Sequence, residues 1–294
     1  MTRVHAAVLA MLLPAAAGAQ FALAGQVRQR VAQVPGAEVA VYYRRLSDGD
    51  TLAINADTVY HAASTMKVPV MIQLFHAIDA GHLKVDQGVL VTNQFKSIAD
   101  GSFFSADSAD DSDSTLYHEI GHRVPLDRLM DLMIQKSSNL ATNTVIELVG
   151  AKSVDSAAHA LGVTRMRVLR GVEDGKAYQL GLNNVTTARD LAILMRAIAE
   201  DRAGSKKGCA AMRDILFGQE FHTEIPTGLP PGTRVAHKTG QITGLLHDAA
   251  IVYPAGSSPY VLVVLTRGIP DEKVAQALIA DISRLIYARA SHLS

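Results

Sequence analysis

Residues 234–267 have the sequence RVAHKTGQITGLLHDAAIVYPAGSSPYVLVVLTR, and this stretch decides the fold. Three runs within it are rich in β-branched and apolar side chains, and they predict strands at 234–238, 248–252 and 260–266. A helical pattern follows at 271–288. The C-terminal part of the chain therefore predicts three strands closed by one helix.

The other end of the chain is expected to complete the same sheet. A helix is predicted at 21–34, and strands are predicted at 38–45 and 51–55 on either side of the turn Ser47-Asp48-Gly49-Asp50. Helical patterns fill the middle of the chain, at 65–78, 126–135, 140–149, 154–161, 187–200 and 208–216. This order predicts a mixed α/β (α+β) fold, with a central five-stranded antiparallel sheet flanked by helices and an all-helical lobe. We expect the sheet lobe at about 20–62 and 225–294, and the helical lobe at about 63–224.

Composition excludes several classes of protein. The 294 residues carry 28 Lys plus Arg and 28 Asp plus Glu, so no net charge favours binding to nucleic acid. Cys209 is the single cysteine, which rules out an intramolecular disulfide and a cysteine metal cluster. The 48% hydrophobic content is that of a globular protein. We expect a monomer with a small-molecule substrate and no nucleic-acid partner.

The first nineteen residues are typical of a signal peptide. Arg3 precedes an apolar run at 6–17, and Ala17-Gly18-Ala19 is a small-x-small cleavage site ahead of Gln20. A buried N-terminal helix is the alternative interpretation. Because the cleavage site has no neighbouring cysteine, we expect no lipid or other membrane anchor. The mature chain, 20–294, is then expected to be periplasmic or secreted.

The sequence Ser64-Thr65-Met66-Lys67 places a hydroxyl and an amine one helical turn apart, at the start of a mostly apolar helix. A serine becomes a nucleophile when a nearby base accepts its proton, and an unprotonated lysine is such a base. The free N–H groups at a helix start can also stabilise negative charge. The alternative is that Ser64 serves only as a helix cap.

Two further motifs follow in order along the chain. Ser137-Ser138-Asn139 lies where one predicted helix ends and the next begins, and Lys238-Thr239-Gly240 lies at the end of a predicted strand. Together with Ser64-x-x-Lys67, these motifs resemble the Ser-x-x-Lys, Ser-Asp-Asn and Lys-Thr-Gly set of class A β-lactamases and penicillin-recognising serine hydrolases. The resemblance extends over nearly the whole mature chain.

The resemblance implies a role for each matching position. Ser64 would be the acylated nucleophile, Lys67 its proton partner, and Ser137 the hydroxyl that passes a proton to the leaving nitrogen. Asn139 would donate to the amide of the substrate side chain. Lys238 and Thr239 would bind the substrate carboxylate, and Gly240 would leave room for the substrate to lie along the edge of the strand. The backbone N–H groups of Ser64 and Gln241 would form the oxyanion hole.

Glu173 is the residue that resembles the water-activating glutamate of class A enzymes. It lies in a stretch without clear periodicity, 165–185, and long irregular stretches in compact domains are usually functional. The resemblance has four departures. Ser138 stands where the family has aspartate, and Ala177 where it has asparagine. One extra residue separates Arg170 from Glu173, and the acidic insertion lengthens the span from Ser64 to Ser137 to 73 residues. Asn183 or Asn184 could replace the missing amide; alternatively, Glu173 could only pair with Arg170.

Two other patterns suggest metal sites. An acidic insertion at 100–115 lacks the spacing and turn glycine of a calcium loop, so we expect a solvated excursion. His118-Glu119-Ile120-Gly121-His122 has the spelling of a zinc-protease motif, but Gly121 and the following Pro125 weaken the helix that this motif requires. We therefore predict no metal and no cofactor.

The sequence thus predicts a serine hydrolase that opens β-lactams through an acyl-enzyme at Ser64 and frees itself with water activated by Glu173. Whether Lys67 or Glu173 is the base for acylation stays open. Two alternatives stay open. One is a D-alanyl peptidase that acts on peptidoglycan stems, and the other is a penicillin-binding receptor that deacylates slowly.

Overall fold

The computed structural model describes residues 15–291, with only the backbone described for 15–20. Residues 1–14, most of the predicted signal peptide, lie outside the described residues. The helices are α1 (Ala15–Ala32), α2 (Lys67–Asp79), α3 (Leu126–Gln135), α4 (Asn139–Val149), α5 (Ala151–Ala160), α6 (Gly175–Gln179), α7 (Ala188–Ala199), α8 (Lys206–Phe217) and α9 (Glu272–Ser291). The strands are β1 (Glu38–Arg45), β2 (Thr51–Ile54), β3 (Tyr60–His61), β4 (Gly88–Leu90), β5 (Phe95–Lys96), β6 (Phe103–Phe104), β7 (Arg123–Pro125), β8 (Val185–Thr186), β9 (Arg234–Ile242), β10 (Leu245–Tyr253) and β11 (Tyr260–Arg267).

The five long strands form one antiparallel sheet in the order β2-β1-β11-β10-β9, which confirms the predicted fold class. Strands from the two ends of the chain meet where β1 pairs with β11, for example Val41 opposite Val264. The last strand, β9, lies at an edge of the sheet. Its outer side therefore keeps backbone groups free to pair with another chain or with a ligand.

Strands β9 and β10 are longer than predicted. Gly240 and Gln241 pair with His247 and Leu246, so the Lys-Thr-Gly motif lies within β9 rather than at its end. A two-residue turn, with Gly244 at φ 72°, joins the strands. Gly and Gln have low strand propensity, but cross-strand pairing in a tight hairpin overrides that preference.

The sheet buries both faces. Alternate β residues such as Val41 and Leu262 pack against α1 and α9, whereas Ala40 and Val263 pack against the helices of the middle segment. This alternation is the two-residue period of a strand. Helix α2 is buried along most of its length, which fits its apolar sequence. It begins at Lys67, after a 3₁₀ turn at Ala63–Met66, rather than at residue 65 as predicted.

The acidic insertion is more ordered than the sequence predicted. It contains β6, the second strand of the hairpin that β5 begins. Asp113 is buried, accepts a hydrogen bond from the hydroxyl of Thr115, and lies 3.8 Å from the amine of Lys136. The expectation of a solvated excursion is therefore wrong for this part, because its carboxylates find hydrogen-bond donors within the fold.

The zinc-type pattern does not form one helical face. A 3₁₀ turn, Thr115–Glu119, ends before Ile120, whose backbone is extended, and Gly121 has φ 89°. His118 and His122 consequently lie on different structural elements. Within residues 15–291, no helix combines the length and the hydropathy that a bilayer crossing requires.

Candidate active site

Ser64 lies in the 3₁₀ turn at the start of α2, next to the edge strand β9. The turn is held by Thr65, whose N–H and hydroxyl both donate to the carbonyl of Ala62, at 3.1 and 2.5 Å. The preceding residue, Ala63, has φ 45°, in the left-handed region that L residues rarely adopt. Ser64 itself is half-buried and lines the cleft, so its hydroxyl is accessible to a substrate.

Lys67 connects α2 to the turn at residues 137–139, called the serine turn below. Its amine is fully buried and donates to the carbonyl of Ser137 at 2.5 Å and to Oδ1 of Asn139 at 3.1 Å. The same Nζ lies 3.1 Å from the hydroxyl of Ser137. Ser137 adopts φ 59°, and strained backbone of this kind is concentrated at functional sites.

Lys238 approaches the same hydroxyl from the sheet. Its buried amine lies 3.0 Å from Oγ of Ser137 and donates to the carbonyl of Thr239, also at 3.0 Å. The Ser137 hydroxyl is therefore held between two lysine amines that are 171 positions apart in the sequence, 238 minus 67. The predicted residues Lys67, Ser137 and Lys238 thus contact one another, and Ser64 lines the same cavity as Ser137. We call these four residues the acylating cluster.

Gly240 allows β9 to lie directly against the Ser64 turn. A Cβ atom at this position would lie 3.0 Å from the backbone N of Thr65 and 3.2 Å from that of Ser64, which is too close. The neighbouring residues face the cleft: Thr239 is nearly buried, and Gln241 is exposed with its amide donating to Glu272 at 2.7 Å. A Cβ atom at 240 would require β9 or the Ser64 turn to shift by a few tenths of an ångström.

Glu173 lies on the other side of the cleft, with φ 62°. Its carboxylate accepts one hydrogen bond from Nδ2 of Asn139 at 2.7 Å and another from the N–H of Asp107 at 2.8 Å. Arg170 instead donates to the carbonyls of Leu182 and Gly171 and to Oδ1 of Asn183. The contacts of Glu173 are therefore with the serine turn and the acidic insertion, not the pairing with Arg170 that the sequence left open.

Comparison with known proteins agrees with this geometry. The model of the β-lactamase enzyme family matches residues 22–290. The chain belongs to this family.

A curated relative, β-lactamase VEB-1 of Pseudomonas aeruginosa, is 22% identical over 88% of this chain and 87% of its own length. Among solved structures, PBP-A has a TM-score of 0.81 at 26% identity, covering 92% of this chain and 96% of PBP-A. A β-lactamase from Sphaerobacter thermophilus has a TM-score of 0.79 at 27% identity, covering 92% and 98%. The resemblance to penicillin-recognising serine hydrolases is thus confirmed.

The electrostatics of this β-lactamase-family site favour neutral lysines. Burial, reinforced by the nearby charge of Lys238, holds the pKa of Lys67 well below its usual value. Burial likewise lowers the pKa of Lys238 to about 7, although Asp248 and Glu224 oppose the shift. Lys67 donates to three oxygens, the carbonyl and hydroxyl of Ser137 and Oδ1 of Asn139. Its neutral form keeps two N–H donors and gains a lone pair that can take up a proton.

Burial has the opposite effect on the carboxyl group of Glu173. It raises the pKa of Glu173 above its ordinary value, although the hydrogen bonds from Asp107 and Asn139 work against that shift. A higher pKa makes an ionised carboxylate a stronger base. Glu173 is therefore better suited to activating water than an exposed glutamate would be.

Two cavities meet at the nucleophile. One, of about 290 Å³, extends from Ser64 toward Glu173 and is lined by His61, Val172 and Tyr178. The other, of about 280 Å³, extends from Ser64 along Thr239. Since both are open at Ser64, a substrate can place one part beside Glu173 and another beside β9.

The sequence missed two residues that position the site. Asn143, buried on α4, accepts from the N–H of Val172 at 2.7 Å and donates to its carbonyl at 3.1 Å, next to Glu173. Asp111, in the acidic insertion, accepts hydrogen bonds from the serine turn. Neither belongs to a motif with fixed spacing, so no sequence signal identified them.

The suggested substitutes for the missing asparagine have other partners. Asn184 is buried and bonds the backbone of Leu169 and Arg170, while Asn183 accepts from the guanidinium of Arg170. Ala177 is buried in α6, and its N–H donates to Asp174. In this structure, the amide that contacts Glu173 belongs to Asn139 instead.

Proposed function

We propose that this protein hydrolyses β-lactams through an acyl-enzyme formed on Ser64. One observation carries the proposal: the hydroxyl of Ser137 lies 3.1 Å from Nζ of Lys67 and 3.0 Å from Nζ of Lys238, and Ser64 lines the same cavity as Ser137. Such an arrangement can move a proton between a nucleophile and a leaving group. Membership of the β-lactamase enzyme family supports the choice of substrate.

Acylation begins when Oγ of Ser64 attacks the β-lactam carbonyl carbon. Its proton passes to the neutral amine of Lys67, whose lowered pKa keeps that form available. The C–N bond of the ring then breaks, and the Ser137 hydroxyl gives its proton to the departing nitrogen. Lys67 returns a proton to Ser137 across their 3.1 Å contact, so the cluster ends with the protonation it began with.

The carbonyl oxygen gains negative charge in this step. We assign its stabilisation to the backbone N–H groups of Ser64 and Gln241, which the close contact at Gly240 brings to neighbouring positions. Each such donor is worth roughly 2.7 to 4 kcal/mol of transition-state stabilisation. The substrate carboxylate would then bind to Lys238 and Thr239, and the second hydrogen of the Asn139 amide would donate to the substrate side chain.

Deacylation needs a water molecule that a base can activate. Glu173 is that base in our proposal, because its carboxylate lines the same cavity as Ser64 and its pKa is raised by burial. The water would give its proton to Glu173 while its oxygen attacks the ester carbon of acylated Ser64. The C–O bond breaks, and the proton returns to the Ser64 oxygen.

Two other candidate functions use the same nucleophile: a penicillin-binding receptor that acylates and then hydrolyses slowly, and a D-alanyl peptidase. Ala177 favours the receptor, since it supplies no side-chain amide to hold the water. The likeness to PBP-A, a mutant of which was solved as an acyl-enzyme complex with penicillin G, points the same way.

The deciding experiment follows hydrolysis of a chromogenic cephalosporin by the purified protein, with Ser64→Ala as the control. We expect many turnovers per enzyme molecule. A burst equal to the enzyme concentration, without continued hydrolysis, would select the receptor. Release of D-alanine from a pentapeptide, without cephalosporin turnover, would select the peptidase.

Export is part of the proposal. The Arg3 start, the apolar run and the Ala17-Gly18-Ala19 site support removal of residues 1–19 and a periplasmic or secreted location. N-terminal sequencing of the mature protein should begin at Gln20. A mature chain that begins with Met1 would contradict this location.

A further inference from the structure

The acidic insertion reaches the active site through one carboxylate. Oδ2 of Asp111 accepts hydrogen bonds from the backbone N–H groups of Asn139 and Leu140, both at 2.9 Å, and from the hydroxyl of Ser138 at 3.2 Å. The hydroxyl of Tyr117 donates to the same oxygen at 3.1 Å. The other oxygen, Oδ1, accepts from the N–H of Asp113 at 3.1 Å, so the carboxylate is fixed from both sides.

Two of these donors, the N–H groups of Asn139 and Leu140, belong to the first turn of α4, which begins at Asn139. The N–H groups of a first turn have no partner within the helix, and a negative charge placed there is stabilising. Ser138 caps only one of them, the N–H of Ala141 at 3.2 Å. Asp111 accepts from the N–H groups of Asn139 and Leu140, and its carboxylate is a charged acceptor.

This contact compensates for the departure at position 138. The resemblance to class A enzymes places an aspartate there, and this chain has Ser138, whose side chain is shorter and neutral. The carboxylate comes instead from a residue 27 positions earlier. One negative charge at the start of α4 is thus retained, although the acidic insertion supplies it.

We propose that Asp111 is a positioning residue for the acylating cluster. By holding the N–H groups of Asn139 and Leu140, it fixes the turn in which Ser137 has φ 59°. That turn places Oγ of Ser137 between the two lysines and Oδ1 of Asn139 on Lys67. The inference rests on the proposed function, because its kinetic consequence is slower acylation of Ser64.

The test moves the carboxylate from position 111 to position 138. Asp111→Asn should slow acylation by a β-lactam about 10- to 100-fold, since charge-assisted hydrogen bonds are lost. Ser138→Asp alone should also slow acylation, because two carboxylates would crowd one helix start. The double variant Asp111→Asn/Ser138→Asp should recover to within about fivefold of the original rate, because aspartate is a good helix cap.

Asp127→Asn is the matched control. It removes the same charge from the exposed first turn of another helix, α3, and we expect acylation to change by less than about twofold, as for most surface substitutions. Acylation is measured by quenched-flow mass spectrometry, and folding by thermal unfolding. An Asp111→Asn variant that acylates at the original rate, or a double variant no faster than Asp111→Asn, would overturn the inference.

A second measurement is independent of any β-lactam. The amide hydrogen of Leu140 should exchange about tenfold faster in Asp111→Asn and slow again in the double variant. If the unaltered protein is never acylated, the proposed function fails. The exchange rate still tests whether Asp111 holds the N–H of Leu140. Unchanged exchange of Leu140 in Asp111→Asn would overturn the inference.

Discussion

The two sides of the cleft are built differently. The acylating cluster is held by three elements, α2, the serine turn and β9, and both of its lysine amines are buried and bonded within the cluster. Glu173 instead lies in the loop that precedes α6, and it is held by contacts from α4 and the acidic insertion. Asn139 joins the two sides, since its amide contacts both Lys67 and Glu173. Apart from Asn139, the contacts that hold the two sides are separate. Substitutions at residues other than Asn139 and the nucleophile should therefore affect either acylation or deacylation, not both.

Ser64→Ala has the largest expected effect, because it removes the nucleophile that both steps share. We expect hydrolysis of a chromogenic cephalosporin to fall by at least about 10⁴-fold. The protein should keep its thermal stability, since Ser64 is half-buried and the turn is held by Thr65. A variant that still hydrolyses at one tenth of the original rate would place the nucleophile elsewhere.

Glu173→Gln should act on deacylation alone. The amide keeps the shape of the side chain but cannot accept a proton from water, so deacylation should slow by about 10³-fold. The acyl-enzyme should then accumulate and be visible by intact-protein mass spectrometry. Glu147→Gln, an exposed change on α4, is the control. Equal acyl-enzyme lifetimes in both variants would show that Glu173 is not the base.

Lys67→Arg should act on acylation. Arginine stays protonated at every accessible pH, whereas burial lowers the pKa of Lys67 and makes its neutral form available. Acylation should slow by about 10²-fold. In the unaltered protein, the acylation rate should fall as the pH drops through the lowered pKa of Lys67, because protonation removes the base. An acidic limb near pH 10 in the acylation profile would contradict the assignment.

Asn143→Ala has the smallest expected effect and tests the attachment of the Glu173 segment. It leaves the N–H and carbonyl of Val172 without their partner, so Glu173 should be positioned less well. We expect deacylation to slow about tenfold, the effect of losing a buried hydrogen bond, with acylation nearly unchanged. Asn183→Ala, which loses only a contact to Arg170, should change deacylation less. Equal losses in both steps would mean that the two sides are not separable.

The sheet was predictable because local signals specify it: apolar runs identified β9, β10 and β11. The acylating cluster was predicted from the order of its motifs and their resemblance to a known family. Helical spacing correctly indicated a turn between Ser64 and Lys67, but Ser64 lies in the 3₁₀ turn that precedes α2. The exact ends of β9 were not predictable, since Gly240 and Gln241 join the strand through pairing with β10. Pairing of this kind depends on the partner strand, which sequence propensity does not include.

The supports of the site were not predictable. Asp111 belongs to an acidic, serine-rich insertion whose composition indicates a solvated loop, yet its carboxylate binds a helix start 28 residues later. Asn143 is one of several polar residues on α4, and only the fold brings it to Val172. Both depend on contacts between segments that are distant in sequence, and such contacts leave no local pattern.

The most direct test of the acylating cluster is a time course of the intact protein mass after mixing with penicillin, followed by peptide mapping. The account predicts one adduct per chain, located on Ser64, that forms rapidly and then disappears as the drug is hydrolysed. A chain that keeps its original mass at all times, or an adduct on another residue, would contradict it.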